Sequence, residues 1–237
     1  MSTDLSGTIA PTGTLRAVIN LGNPILAQGT PDAPRGVTVD IAHDLAEWLD
    51  VPLQLACVMA ARDSYATMLA GEVDLCFLAN EPAREAGIAF TAPYVSIEGV
   101  YAVALDSPIT RIEDVDRAGN RIGVRRGSAY DLFLQRSLTH AEIVLGEEPT
   151  DAFESGGVEV CAGIRQPMTE YAATAGLRVL EPPFMQINQA VGLPRSLDPA
   201  AIAAVAEHIE ELKASGLVQS SLGASGVDAT AAPPHNR

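Results

Sequence analysis

The side chains that most often carry chemistry are few in this sequence and poorly spaced for it. Cys57, Cys76 and Cys161 lie far apart, each inside an apolar run, and His43, His140, His208 and His235 are scattered. No Cys-x-x-Cys pair or other zinc-ligand spacing occurs, so no metal is expected and the thiols read as small buried hydrophobes. A phosphate-cradling Gly-rich loop with its lysine is missing, as is a Gly-x-Ser-x-Gly elbow, and no cofactor is expected. Asp32, Asp40 and Asp44 suit helix starts and solvated faces. What remains is recognition chemistry. A planar arginine guanidinium offers two parallel donors that fit the two oxygens of a carboxylate. At Gly127-Ser128 a helix opens, and its free N–H groups and dipole favour an anion.

Strand and helix signals alternate along the chain and would position these groups in an α/β fold with largely parallel strands. Strands are expected at Leu15 to Asn20, Pro52 to Val58, Val73 to Leu78, Ile97 to Leu105, Arg121 to Val124, Ala141 to Leu145, Val158 to Ile164, Leu177 to Leu180 and Gln189 to Leu193. The stripe Val39, Ile41, Ala42, Leu45, Ala46 and Leu49 predicts a helix over Val37 to Leu49. Shorter helices are expected from Ser64 to Ala70, from Ser128 to about Leu138 and from Pro167 to Ala175. Pro199 to Ser215 is amphipathic, with Ile202, Val205, Ile209 and Leu212 on one face and Glu207, Glu210 and Glu211 opposite. The Ala-, Ser- and Pro-rich segment after Gly223 reads as a frayed tail.

Composition bounds the partners. The 237 residues are 47% apolar and 19% charged, an ordinary globular balance, and 30 acidic against 15 basic residues give a formal charge of −15. A surface so acidic repels phosphate backbones and anionic lipid, so neither nucleic acid nor a membrane surface is an expected partner. A few buried arginines can still make one pocket attractive to an anion. Among the basic residues Lys213 is the sole lysine. No apolar stretch approaches the ~18 residues of a membrane span. Met1 to Ser6 lacks the basic and apolar regions of a secretory signal, which predicts a cytoplasmic protein, or a periplasmic one if a signal has been removed.

Between Gly36 and Tyr94 the order of features becomes specific. Gly36-Val-Thr-Val-Asp40 is followed by Met68-Leu-Ala-Gly71-Glu-Val-Asp74, Glu81-Pro-Ala-Arg84 and Phe90-Thr-Ala-Pro93-Tyr94; further on come Gly127-Ser128 and Leu212-Lys-Ala-Ser-Gly-Leu217. This series resembles the polar amino-acid family of bacterial solute-binding proteins, the extracellular family-3 type, over residues 14 to 222. The resemblance implies a type II periplasmic-binding fold: two α/β lobes, each a mostly parallel sheet flanked by helices, joined by two hinge strands. Lobe one would be residues 1–95 and 188–237, lobe two residues 96–187. The ligand would lie in the cleft between them and be trapped by hinge closure.

The same resemblance assigns candidate ligand-binding residues. Arg84 matches the arginine that pairs with a ligand α-carboxylate; its alternative is a surface ion pair with Glu85 or Glu81. Ser128, with Gly127 allowing close approach, would receive an anion or simply cap its helix. Asn20 and Asn23 stand where the family has an acidic and an aromatic residue, and a second aromatic position falls near Ala61, so stacking surface is exchanged for neutral hydrogen-bonding groups. The family's aspartate for the ligand ammonium falls at Ile164-Arg165, where a cation would repel an ammonium and attract a second anion, unless Arg165 faces outward beside Glu170. Glu81 replaces the family's threonine and either balances the arginines or is a capping or exposed carboxylate. Tyr94, Tyr65 and Gln166 line the cleft or pack.

These departures favour a keto acid, a dicarboxylate or an acylated amino acid over a standard unmodified amino acid. The expected function is therefore binding of a small carboxylate-bearing solute for transport or sensing, with an ABC importer as possible membrane partner. The alternative is a lyase or dehydratase on the same scaffold, resembling cyclohexadienyl dehydratase, with Glu81 as acid or base.

Overall fold

The computed structural model describes residues 5–227 and 229–234; residues 1–4, read above for a signal, and His235 lie outside them. The chain divides into two compact units, unit 1 comprising Met1–Ser96 and Asn188–Arg237 and unit 2 comprising Ile97–Ile187.

Unit 1 opens with α1 (Leu5–Ile9), β1 (Leu15–Asn20) and a hairpin of β2 (Gln28–Thr30) and β3 (Ala33–Arg35). It continues through α2 (Val37–Trp48), β4 (Leu53–Val58), α3 (Ala61–Leu69), β5 (Leu75–Ala79) and β6 (Ile88–Phe90). The next strand, β7 (Val95–Ala104), carries the chain into unit 2 after Ser96. Unit 2 contains β8 (Arg121–Arg125), α4 (Ala129–Ser137), β9 (Glu142–Gly146), α5 (Asp151–Glu154), β10 (Val160–Ile164), α6 (Arg165–Ala175) and β11 (Leu177–Val179). The chain returns along β12 (Met185–Pro194) to α7 (Pro199–Ser215), α8 (Leu217–Ala224) and β13 (Thr230–Ala231).

In unit 1, β1 pairs in parallel with β4 and β5, with Val18 opposite Ala56 and Cys76. The later part of β12 runs antiparallel to β5, with Val191 opposite Phe77, and β6 lies antiparallel on its end. In unit 2, β8 is parallel to both β9 and β10, and β7 and β11 add antiparallel strands. Parallel pairing runs β4–β1–β5 in unit 1 and β9–β8–β10 in unit 2, with β4 and β9 as edge strands, and the remaining strands pair antiparallel.

Local sequence explains the helices that frame these ladders. Gly36 precedes α2 at φ +113°, and a Cβ there would stand 2.7 Å from the Leu26 carbonyl oxygen, so glycine is required. The predicted stripe of α2 is buried. α7 begins at Asp198, whose carboxylate accepts the Ala200 N–H at 2.7 Å, with Pro199 in the first turn. Of its predicted face Val205, Ile209 and Leu212 are buried, Ile202 is half-buried and Ala201 is buried in its place. Each fully buried large apolar side chain contributes roughly 1.5–3 kcal/mol. Asp44 of α2 is not merely solvated: it holds His208 of α7 at 2.6 Å, and the His208 ring stacks on Trp48. Asp40, also read as solvated, accepts a short hydrogen bond from Ser221.

The thiols divide. Cys76 and Cys161 are buried as expected, and burial pushes each up to about 12, whereas Cys57 is only half-buried. Over the described residues of the C-terminal segment, 224–227 and 229–234, the frayed-tail expectation fails. Helix α8 runs to Ala224, and Thr230–Ala231 pairs antiparallel with β7 at Ser96 and Val95. Together with α1, the β2–β3 hairpin, β6 and α5, the Thr230–Ala231 strand is a short element whose side chains complete too little of a period to be read. Among the described residues, no helix is long and apolar enough to cross a membrane.

Candidate functional site

In unit 1 the parallel register brings the carboxyl ends of β1 and β5 to one edge of the sheet, the place where open α/β sheets receive ligands. Asn20 and Asn23 follow β1. Glu81 and Arg84 follow β5, where Pro82 starts a single 3-10 turn and the Arg84 N–H bonds the Glu81 carbonyl at 2.8 Å. Arg84 is 2% exposed, and its Nη1 donates to the Ala79 carbonyl at 3.0 Å. A position on the surface is therefore excluded for it, while the Glu81 carboxylate stays close enough to act on its charge. Burial drives the guanidinium pKa down, and the negative charge of Glu81 works against that shift. Glu81 is itself 5% exposed, and its side chain makes no cap to the turn, so neither a capping nor an exposed carboxylate describes it. A buried cation beside a buried anion is costly to assemble and strongly coupled once formed.

The side-chain oxygens of the two asparagines make local bonds. Asn20 Oδ1 accepts the Gly22 N–H at 3.0 Å, and Asn23 Oδ1 accepts the Ile25 N–H at 3.2 Å, so both shape the turn after β1. Tyr94 is wholly buried, with its ring edge against Phe77 at 6.2 Å, and its hydroxyl lacks a hydrogen-bond partner. It belongs to the core in this structure. Tyr65 packs partly buried against the cluster of Val18, Met68, Cys76 and Ile88.

Unit 2 repeats the arrangement, because β8 and β10 are parallel neighbours and Gly127-Ser128 and Arg165 follow their carboxyl ends. Here the Gly127, Ser128 and Asp131 N–H groups are already engaged. Gly127 has φ +70°, and its N–H donates to Asp131 Oδ2 at 2.7 Å. Ser128 caps α4 by accepting the Asp131 N–H at 3.0 Å, while its own N–H bonds the Arg125 carbonyl at 3.1 Å. The second Asp131 oxygen accepts from Gln135 at 2.7 Å, and Asp131 is 2% exposed. The charge expected from a ligand at this helix start is supplied from within the helix.

Arg165 is engaged as well. Its Nη1 and Nη2 reach the Glu181 carboxylate at 2.5 and 2.9 Å, and its Nε bonds Glu98. These hydrogen bonds, Glu181 first, hold the guanidinium pKa above its ordinary range. Glu170, the neighbour anticipated for it, instead accepts from Gln166 at 3.1 Å. Two carboxylates on one guanidinium leave this cluster net negative, so the premise that Arg165 attracts a second ligand anion fails. Asp131, Glu98 and Glu181 were missed by the sequence reading. The Ser-x-x-Asp spacing of Ser128 and Asp131 is a helix-start signal that could have revealed the first. The glutamates lie 67 and 16 residues from Arg165 and carry no local signal.

Among the described residues no group of three or more His, Cys, Asp or Glu is placed to hold a metal ion. The arrangement suits non-covalent recognition: a buried guanidinium and carboxylate in unit 1, and a polar edge with an excess of carboxylates in unit 2.

A family model described as bacterial extracellular solute-binding proteins, family 3, matches residues 17–222. A comparison with curated proteins gives no match. Among solved structures, a mutant of ArgBP from T. maritima is 19% identical with a TM-score of 0.75, over 94% of this chain and 100% of that one. An amino acid ABC transporter substrate-binding protein from Streptococcus pneumoniae bound to L-arginine is 19% identical with a TM-score of 0.74, over 96% of this chain and 99% of that one. An ancestral amino acid-binding protein, described as a precursor of cyclohexadienyl dehydratase, is 20% identical with a TM-score of 0.72, over 92% and 98%. At these identities the structural matches show the fold alone.

Proposed function

The chain belongs to the bacterial extracellular solute-binding proteins of family 3, and from that premise we propose that it captures a small carboxylate-bearing solute of the amino-acid type by hinge closure, with Arg84 as the carboxylate anchor. The observation that carries this reading is a guanidinium only 2% exposed, set beside the buried Glu81 at the carboxyl edge of the unit 1 strands. A buried guanidinium prefers a bidentate anion, and an α-carboxylate supplies one. Because Glu98 and Glu181 outnumber Arg165, the earlier preference for a dicarboxylate or keto acid loses its support. A ligand ammonium is compatible with that cluster. The neighbours with L-arginine in their descriptions agree with this class. An ABC importer is the proposed partner, which would place the work outside the cytoplasm; a chain retained inside would serve as a sensor.

A melting screen tests the proposal. A ligand that binds only the folded state stabilises it by about 2.7 kcal/mol at a hundredfold excess over its Kd. Amino acids are expected to raise the melting temperature more than the matching keto acids and dicarboxylates; no shift with any carboxylate would overturn the reading. The alternative of a lyase rests on the burial of Glu81 beside Arg84. Proton NMR of the recovered compounds decides it, since a binder returns them intact and a lyase does not.

A further inference from the structure

The segment Pro93–Ser96 is the last stretch of unit 1 before the chain enters unit 2 at Ile97, and it is held on both sides. On one side the Tyr94 N–H bonds the Gln189 carbonyl at 2.9 Å, in β12 next to the point where the chain re-enters unit 1 at Asn188. On the other side lies the C-terminal segment: Thr230 pairs with Ser96, Ala231 with Val95, and the Ala232 N–H donates to the Tyr94 carbonyl at 2.9 Å. Lys213, the sole lysine, adds a third tie by donating from its buried ammonium to the Pro93 carbonyl at 3.1 Å and to Glu210 at 2.6 Å. Pro93, Ser96, Asn188, Lys213 and the tail residues 230–234 line one open cavity of about 480 Å³.

We propose that residues 230–232 are a detachable strap that stiffens the first crossing strand, so that its release loosens the hinge and changes ligand affinity. The inference goes beyond the proposed function and stands on different residues. A strand of two residues is among the weakest elements a fold can carry, and such elements open by themselves at a cost well below global unfolding. Pro233 and Pro234 have no N–H to extend the ladder, so the strap ends where it does for a covalent reason. The tie at Lys213 is of another kind: its ammonium is 1% exposed and paired with Glu210, and it stays when the strap leaves.

Amide hydrogen exchange on the full chain tests this. In the wild-type protein the Ala232 amide is expected to exchange at least a hundredfold faster than the Tyr94 amide, which faces β12; equal protection at the two sites would show that the tail opens only with the whole unit and would overturn the proposal. In Ala232→Pro, which removes the donor and keeps the chain length, the amides of Ser96 to Gly99 should exchange at least tenfold faster, with those of β5 unchanged. No acceleration beyond Ser96 would mean that the strap touches the hinge without governing it, and the idea would fall. Calorimetry with L-arginine as probe should show at least a threefold change in Kd for the variant, and an unchanged Kd would count against the strap. Should L-arginine not bind the wild-type protein, that result bears on the proposed ligand class, while the exchange measurements still decide the strap.

Discussion

Arg84 and Arg165 are the same residue type at the same kind of place, just beyond the carboxyl end of a strand in a parallel pair, yet their surroundings are opposite. Arg84 is buried, with the Ala79 carbonyl on Nη1 and the charge of Glu81 close by. Arg165 is 26% exposed in its side chain, and Glu98 and Glu181 take its Nε and both terminal nitrogens. The contrast extends to the helix start at Gly127-Ser128, where Asp131 supplies the anion. A guanidinium or a helix N-terminus is therefore no anion site until its internal carboxylates have been counted. In unit 2 they answer the Gly127 N–H and the Arg165 guanidinium; in unit 1 the charges are buried together.

The largest effect that could break this comparison is on ligand affinity. Arg84→Ala is expected to weaken binding by about 2–5 kcal/mol, as when one partner of a buried, hydrogen-bonded charge pair is removed. Arg165→Ala should cost less, because its donors are satisfied without a ligand. Calorimetry on both variants, using the amino acid with the largest melting shift and circular dichroism to confirm folding, gives the order directly. A larger loss at Arg165 would reverse the roles assigned to the two arginines.

Stability should report the internal tenancy of the unit 2 helix start. Asp131→Ala removes the carboxylate that accepts from the half-buried Gly127 N–H, and a hydrogen bond to a charged group contributes about 1.5–3 kcal/mol. Ser128→Ala removes the cap and should cost about 1 kcal/mol. Because the two side chains serve one turn, the double variant should lose less than the sum, as residues of one network do. Urea unfolding of the three variants measures this, and strict additivity would show that the two contacts are independent.

How far the sequence could be read follows the same division. Long periodic segments were legible: the helix at Pro199–Ser215 has the predicted bounds, as does the strand Leu15–Asn20. The type II periplasmic-binding fold was legible too, because motif order in Gly36 to Tyr94 is a property of sequence. In Glu81-Pro-Ala-Arg84 a short turn keeps both charged groups adjacent. By contrast, the state of Arg165 depends on Glu98, brought beside it by the antiparallel register of β7 and β10, and register between distant strands is invisible locally. The C-terminal pairing was hidden for a related reason. Two residues of Thr and Ala carry no alternation, and only their docking on β7 makes them a strand.

The smallest effect is a pH dependence at Arg165, and it probes the premise that this arginine is held by its own unit. The Arg165 hydrogen bond lowers the Glu181 carboxyl pKa below its ordinary value. A carboxyl depressed in the folded state adds stability above its unfolded pKa, about 4.3 for glutamate, and loses it as pH falls through the folded value. The Glu181 side chain is 63% exposed, so solvent screens the pair and its contribution should be about 0.2–1 kcal/mol. Glu181→Gln should therefore be less stable than wild type by that amount from pH 7 to about pH 5, with the gap closing toward pH 3 as the carboxylate protonates. Urea midpoints across that range, at low salt, provide the measurement. If the variant is as stable as wild type at pH 7, Glu181 does not hold Arg165, and the guanidinium regains the freedom to meet a ligand carboxylate. A gap that widens as pH falls would mean that protonated Glu181 is the stabilising form, which an ion pair with arginine cannot produce.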